Sequence, residues 1–235
     1  MTDAHCHVSG GDPAVRELLI GRDFVGVHPW AALEASRSGR SAHQAIGELR
    51  AQLAANPRLG VGEIGLDRLK EKTISPAMRE LFAAQLAVAF EFRRPVVLHG
   101  AKCWGEVVRE IVECRANVPP LLFHGFSRSD GLLPEIVRLN GCISVGPAVL
   151  NDHAVNYRAL VKMIPLDRLL VETDRDSAPE ELLNPVTKAP LTVRDVLEKT
   201  AELRGLSPAE LESLTDANAA RFCSFAAPRG RENMV

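Results

Sequence analysis

A chain of 235 residues with 46% hydrophobic content can bury one sizeable core. Its 28 Lys and Arg against 30 Asp and Glu leave a formal net charge of -2, which excludes the broad basic field of a non-specific DNA binder, so any nucleic-acid contact must be local to a cleft. No apolar run approaches the ~18 residues of a membrane span, and the five cysteines (6, 103, 114, 142 and 223), with no CxxC pair and no signal-like start, read as a reduced cytoplasmic thiol set.

The first strand is predicted at Thr2–Cys6, within MTDAHCHVSG, and the next at Phe24–His28 (FVGVH). Leu59–Leu66 (LGVGEIGL) follows. Ser75-Pro76 then opens a helix, with Pro76 at its first position and Leu81, Gln85, Val88, Ala89 and Phe92 down one side. Strands at Pro95–Gly100 and Leu121–Phe126 flank a helix over Trp104–Ala116. Helices over Ser129–Asn140 and Val155–Ile164 alternate with strands at Cys142–Gly146 and Leu169–Asp174. LTVRDVLEKTAELRG closes a helix on Gly205, and Ser207-Pro208 starts the last one with Glu210 at the capping-box position.

Several strand runs are apolar without period-two alternation, as in parallel strands buried on both faces. Strand–helix alternation along the chain gives right-handed βαβ units, either closed as a (β/α) barrel or open as a doubly wound sheet. No GxGxxG follows the first strand, so nothing favours a dinucleotide sheet. No repeat or linker breaks the pattern. One domain spanning 1–235 is predicted, with the polar tail 228–235 expected to be mobile.

Reactive residues stand out by position. His5 and His7 close the first strand, Glu63 lies in GVGEIGLD, and His99, His124 and Asp174 end PVVLH, LLFH and LLVETD. In a barrel the C-terminal strand ends converge on one mouth, where the active sites of that fold sit. His5 and His7 are i and i+2, so both project to one side while Cys6 turns away. Four histidines and two acids exceed the three protein ligands of one catalytic zinc. They suit two ions about 3.5–4 Å apart that share a bridging carboxylate, and hence a binuclear hydrolase.

HxH, GVHPW, GEIGLD, PVVLHG, LFHGFS and ETD, in this order, resemble the TatD family of metal-dependent deoxyribonucleases, in the amidohydrolase-like superfamily. The resemblance runs from Thr2 to about Phe225 and takes in SPAMRELFAAQLAVAFEFRRP and the closing NAARF. It implies a TIM-type (β/α) barrel and a 3′–5′ exodeoxyribonuclease acting on single-stranded DNA or 3′ ends, with no membrane and no obligate protein partner. It also implies that His5, His7, Glu63 and Asp174 hold one ion, and that Glu63 bridges to a second held by His99 and His124. The family usually has a helix, a strand and another helix between its first two motifs, where this chain has only SGGDPAVRELLIGRD. The barrel is therefore expected to be distorted or reduced, as in a compact TatD-like branch, with Arg16–Ile20 as a remnant second strand. The family's HSR reads His99-Gly100-Ala101-Lys102, its aromatic after GLD is Arg68, and its TDAP reads Thr173-Asp174-Arg175-Asp176. These departures spare the ligands and bear on substrate preference.

Two divalent ions (Zn, Mn or Mg) would activate water and clamp the scissile oxygens, so in-line attack on a phosphodiester is expected, with Glu63 and Asp174 as catalytic carboxylates and Asp174 also shuttling protons. Four histidines favour Mn²⁺ or Zn²⁺ over Mg²⁺. Lys102, Arg128 and Arg175 are expected to offset phosphate charge, Ser127 to donate to a phosphate oxygen, and His28 to face substrate or support the ligands. Asp3 and Asp67 read as supports, Cys103 as packing, and His43 and His153 as solvated. The bland alternatives are a frayed terminus for His5 and His7, a core acid paired with Arg68 for Glu63, satisfied core histidines for His99 and His124, and a loop cap for Asp174. Two other functions compete. One is hydrolysis of a carboxylic ester, lactone, cyclic amide or aminoacyl-tRNA bond, and the other is a silent barrel scaffold, which predicts damaged ligands where none is damaged.

Overall fold

Among the described residues the apolar runs become eight parallel strands set in sequence order around a barrel; the computed structural model describes residues 1–31, 42–114, 118–127 and 130–224. β1 (Thr2–Cys6) pairs with β2 (Arg16–Leu19). β3 (Phe24–Val25), β4 (Gly60–Asp67), β5 (Val96–Ala101), β6 (Leu121–Phe123), β7 (Gly141–Val145) and β8 (Leu169–Val171) form the rest in that order. Two seams join the sheets. A bridge pairs Ile20 with Phe24 between β2 and β3. Past β8, the Asp174 N–H donates to His5 O and the Thr173 N–H to the Asp3 carboxylate, both at 3.0 Å.

The described helices are α1 (Ala42–Ala55), α2 (Pro76–Phe92), α3 (Trp104–Glu113), α4 (Leu133–Arg138), α5 (Val155–Met163), α6 (Val193–Arg204) and α7 (Pro208–Phe222). Ser75 caps α2 by accepting from the Met78 N–H at 3.2 Å. Thr192 with Asp195, and Ser207 with Glu210, close capping boxes on α6 and α7.

Strand alternation sorts the side chains into two cores. Val96 and Leu98, Leu121 and Phe123, and Ile143 and Val145 pack into the cluster shared with the helices. The intervening Val97, Leu122, Cys142 and Leu170 join a second cluster with Ala4, Leu18 and Phe24, and with Ala219 and Phe222 of α7. Two residues further along the same chain segments stand His99, His124, Ser144 and Glu172, on the same face by the period of two. The inner face is thus apolar at one level and polar towards the strand ends. Burial on both faces explains why these runs do not alternate in sequence.

Phe222 is 1% exposed, and its ring stacks on Phe24 with centroids 5.7 Å apart. Phe222→Ala should lower the unfolding free energy by about 3–5 kcal/mol, since nothing else fills the space. Urea denaturation followed by circular dichroism measures this, and a loss below about 1 kcal/mol would show that the layer collapses freely.

The reduced barrel is borne out. Residues 7–15 link β1 to β2 and residues 20–23 link β2 to β3, both without a helix. The remnant at Arg16–Ile20 is a genuine parallel strand over Arg16–Leu19. α7 packs against β8 and β1, and its Ala219 and Phe222 join the inner cluster.

Three predicted strands end early, each for a local reason. The run Phe24–His28 stops at Val25 because Gln85 of α2 takes over the backbone of Val27, accepting from its N–H at 2.7 Å and donating to its carbonyl at 3.0 Å. Pro29 then steers His28 out of the ladder. Leu121–Phe126 stops at Phe123, before Gly125 turns at φ 55°, and Leu169–Asp174 stops at Val171, before Asp174 turns at φ 49°. The predicted end of α3 at Ala116, the start of the next helix at Ser129 and the tail 228–235 lie outside the described residues.

Candidate metal centre

Glu63 is the hub. It sits in β4, whose eight residues are all buried, next to a register break between Val61 and Ile64 against β5. Gly65 makes the approach of the two strands possible, because a Cβ there would stand 1.9 Å from His99 O. Glu63 Oε1 faces His99 Nδ1 at 2.5 Å and His124 Nε2 at 2.6 Å. Its other oxygen, Oε2, faces His7 Nε2 at 3.4 Å and His5 Nε2 at 3.6 Å. Asp174 Oδ1 completes this second side, 3.3 Å from His5 Nε2 and 3.8 Å from His7 Nε2. One carboxylate therefore presents each of its oxygens to a different histidine pair.

The six predicted ligand residues are all brought together. Donor atoms lie within 4.8 Å of one another in three sets: His5, His7 and Asp174; His5, Glu63 and His124; and His28, Glu63 and His99. The third set draws in His28, whose Nε2 is 3.8 Å from Glu63 Oε1. Both ring nitrogens of His5 are buried without a hydrogen-bond partner among the described residues. A buried imidazole left in this way is costly unless a ligand meets it, so the donor set fits a cation.

The electrostatics follow from this crowding. Burial alone would raise the Glu63 carboxyl, but His124, His7 and His99 outweigh it and hold it well below the usual range. His7 is raised by its contact with Glu63. Burial opposes protonation of His99 and His124, yet Asp67 and Glu63 lift the first, and Glu63 with Glu172 lifts the second. His28 goes the other way, lowered to about 4 by burial.

The supports are buried acids. Asp67 Oδ2 sits 2.8 Å from His99 Nε2, which turns the other ring nitrogen towards Glu63. Asp3 accepts from the Thr173 hydroxyl at 2.6 Å as well as from its backbone, and so fixes the residue before Asp174. Both match the supporting roles read from sequence. Sequence reasoning missed Glu172, which is fully buried. It accepts from the Gly125 N–H at 2.7 Å and from the Ser144 hydroxyl, with Oε1 3.8 Å from His124 Nδ1. Its signal was present in ETD, where Glu172 lies two residues before Asp174, inside a run otherwise read as an apolar strand.

A cleft of about 950 Å³ opens from Glu172 and Asp174 towards α5, with Ser127, Gly146, Tyr157 and Met163 on its walls. Ser127, expected to donate to a phosphate oxygen, lines this cleft. Lys102 is exposed at the end of β5, with φ 59°, and Arg128 lies outside the described residues. Arg175 departs from its predicted substrate-facing place. It is 4% exposed and absent from the cleft wall, and its guanidinium lies 3.6 Å from Glu17. Arg68 pairs with Glu106, not with Glu63. Cys103 is buried at the start of α3, with its thiol pushed up to about 12 by burial. His43 is exposed on α1, and His153, exposed too, borders the cleft.

A family model described as TatD related DNase matches residues 21–224. The chain is 28% identical over 210 residues to the uncharacterized metal-dependent hydrolase YabD of Bacillus subtilis (strain 168), covering 88% of this chain and 80% of that one. It is 30% identical over 211 residues to the 3'-5' ssDNA/RNA exonuclease TatD of Cronobacter sakazakii, covering 86% and 77%. Among solved structures it resembles the TatD homolog YJJV of Escherichia coli K12, with TM-score 0.70, 24% identity and 93% and 79% coverage. A TatD family hydrolase of Entamoeba histolytica superposes with TM-score 0.68 at 17% identity, covering 88% and 75%. These two structures share the barrel, and the family model spans most of the strands that carry the centre. Because that model matches residues 21–224, well over half of the chain, the chain belongs to the TatD related DNase family.

Proposed function

We propose that this protein is a metal-dependent phosphodiesterase that removes nucleotides from the 3′ end of single-stranded DNA. The observation that carries the reading is Glu63, whose two oxygens face two separate histidine pairs. His5, His7, Glu63 and Asp174 would hold one divalent ion, and Glu63, His99 and His124 a second, with Mn²⁺ or Zn²⁺ favoured by four imidazoles. Bound there, such ions acidify water and neutralise the oxygens of the scissile phosphodiester.

The chain's own side chains do the rest. The Asp174 side chain, 47% exposed at the cleft, can take a proton from the attacking water and release it to solvent. Asp67 and Asp3 keep His99 and the Thr173–Asp174 turn in place. Glu172 fixes the Gly125 turn beside His124. Ser127 lines the mouth, where it can contact a phosphate oxygen, and the exposed Lys102 follows β5, the strand that carries His99. The five free thiols fit a reducing, cytoplasmic setting, and no described helix is long and apolar enough to cross a membrane.

The test is to incubate the protein, with each metal in turn, with 5′-labelled single-stranded DNA and with a panel of lactones and carboxylic esters. Stepwise shortening from the 3′ end is expected. Cleavage of the esters alone would overturn the phosphodiester reading.

Metal uptake should also be proton-linked. Without an ion, Glu63 holds His7, His99 and His124 protonated above their ordinary range, so their imidazolium forms stabilise the apo centre at low pH and are lost as pH rises. An ion must displace those protons, so affinity should fall with falling pH and binding should release protons. Calorimetry in buffers of different ionisation enthalpy reads this directly, and a binding enthalpy independent of buffer would count against it.

A further inference from the structure

Arg175 follows the ligand residue Asp174, yet it turns away from the cleft and back under the β1–β2 link. Its backbone carbonyl accepts from the His7 N–H at 2.7 Å and the Val8 N–H at 3.0 Å. Its guanidinium is buried. Nη2 donates to Leu191 O at 3.1 Å, and Nη1 lies 3.6 Å from Glu17 Oε1. Gly10 lies flat on that group, since a Cβ there would stand 2.4 Å from Nη1. From β2, Glu17 grips the same link, its two oxygens accepting from the Gly10 N–H and the Ser9 hydroxyl, each at 2.5 Å. The link carries His7 and has no helix to anchor it.

We propose that Arg175 and Glu17 form a clasp that positions His7, and with it the His5–His7–Asp174 half of the centre, for an ion. This rests on the metal reading given above. The cost of the arrangement is visible: Nε and Nη1 of Arg175 are buried without a hydrogen-bond partner among the described residues. Hydrophobic packing of the same volume would hold the strands together at least as well, so a buried guanidinium facing a carboxylate is a device for registration more than for stability. Both partners hold the first part of one loop, residues 7 to 10. Arg175 ties it to the Asp174 turn, and Glu17 ties it to β2. Neither residue touches the substrate cleft, so both are positioning residues.

The test compares wild type with Arg175→Met, Arg175→Lys and Glu17→Gln. Each metal-free protein is titrated with Co²⁺ by calorimetry and visible absorption, alongside a thermal melt. Glu17→Gln keeps an acceptor for the Gly10 N–H, turns its NH₂ to the Ser9 hydroxyl, which can accept, and removes the charge facing Arg175, so it should fold even if Arg175→Met does not. The expected result is that one of two Co²⁺ sites weakens by about 10–100-fold in Glu17→Gln and Arg175→Met, the range for losing a supporting partner, with its absorption band altered. The other site should be unchanged, and Arg175→Lys should recover part of the loss. Wild-type affinity and spectrum at both sites in Glu17→Gln would overturn the clasp, as would equal weakening of both sites in step with a lowered melting temperature. Failure of the wild type to bind any ion would sink the metal reading and the clasp together.

Discussion

Glu63→Gln is expected to abolish turnover and to lower ion binding at both halves of the centre. Glutamine preserves volume and shape, so the β4–β5 packing survives. The amide has one acceptor oxygen, however, and whichever way it turns, its NH₂ meets one of the two histidine pairs that now face oxygen. The loss should exceed the ~10–100-fold that removal of a mere supporting partner costs. A second signature comes from charge. Glu63 raises His7 and, together with Glu172, His124, so its loss lowers both from their raised values. The metal-free variant should therefore be less stable than wild type at acidic pH, where the imidazolium groups have lost their counter-charge, and closer to wild type at alkaline pH. Steady-state kinetics with Mn²⁺, metal stoichiometry and melts across pH measure these effects. Turnover within tenfold of wild type would remove Glu63 from the centre.

Asp174→Asn should be nearly as damaging to activity and almost silent in stability. Asp174 adopts φ 49°, a left-handed conformation that Asn accepts better than any other side-chained residue, so the turn is kept. Its side chain is 47% exposed, and no core contact is given up. What is lost is a charged ligand atom beside His5 and His7 and the proton acceptor at the cleft. A fall in kcat of about 10²–10⁴-fold with an unchanged melt is expected, the range for loss of acid–base catalysis. Alanine would confuse the result by straining the turn, so asparagine is the informative substitution. Full activity in Asp174→Asn would take that carboxylate out of the reaction.

The clustering of the proposed ligand residues was legible because barrel geometry makes strand ends equivalent, so His99, His124 and Asp174 announced themselves by ending apolar runs. The departures trace to long-range contacts that no local pattern carries. Gln85 was read as part of a helical face, but its amide spends itself on Val27, and that ends β3. Arg175 looked like a loop cation for phosphate. Its burial depends on Gly10 and Glu17, more than 150 residues earlier, and only the closed ring brings them together. Glu172 was hidden because a charged residue in an apolar run carries no sign of its partners, Gly125 and Ser144, which arrive from the turn after β6 and from β7. The compact start was foreseen from its length, and β2 formed because RELL still pairs with β1 once the ring supplies neighbours.

The seam between β8 and β1 has a consequence for biosynthesis. Asp3 and Thr173 are bonded across 170 positions of chain, and the last described helix, α7, packs against the first strand. β1 must therefore wait for a segment some 170 positions further along the chain before it has a neighbour on that edge. Until then β1 offers an open edge and the reactive imidazoles at its tip to whatever it meets. A nascent chain stalled before α7 should be unfinished and sticky, because its first strand still lacks the helix that packs against it.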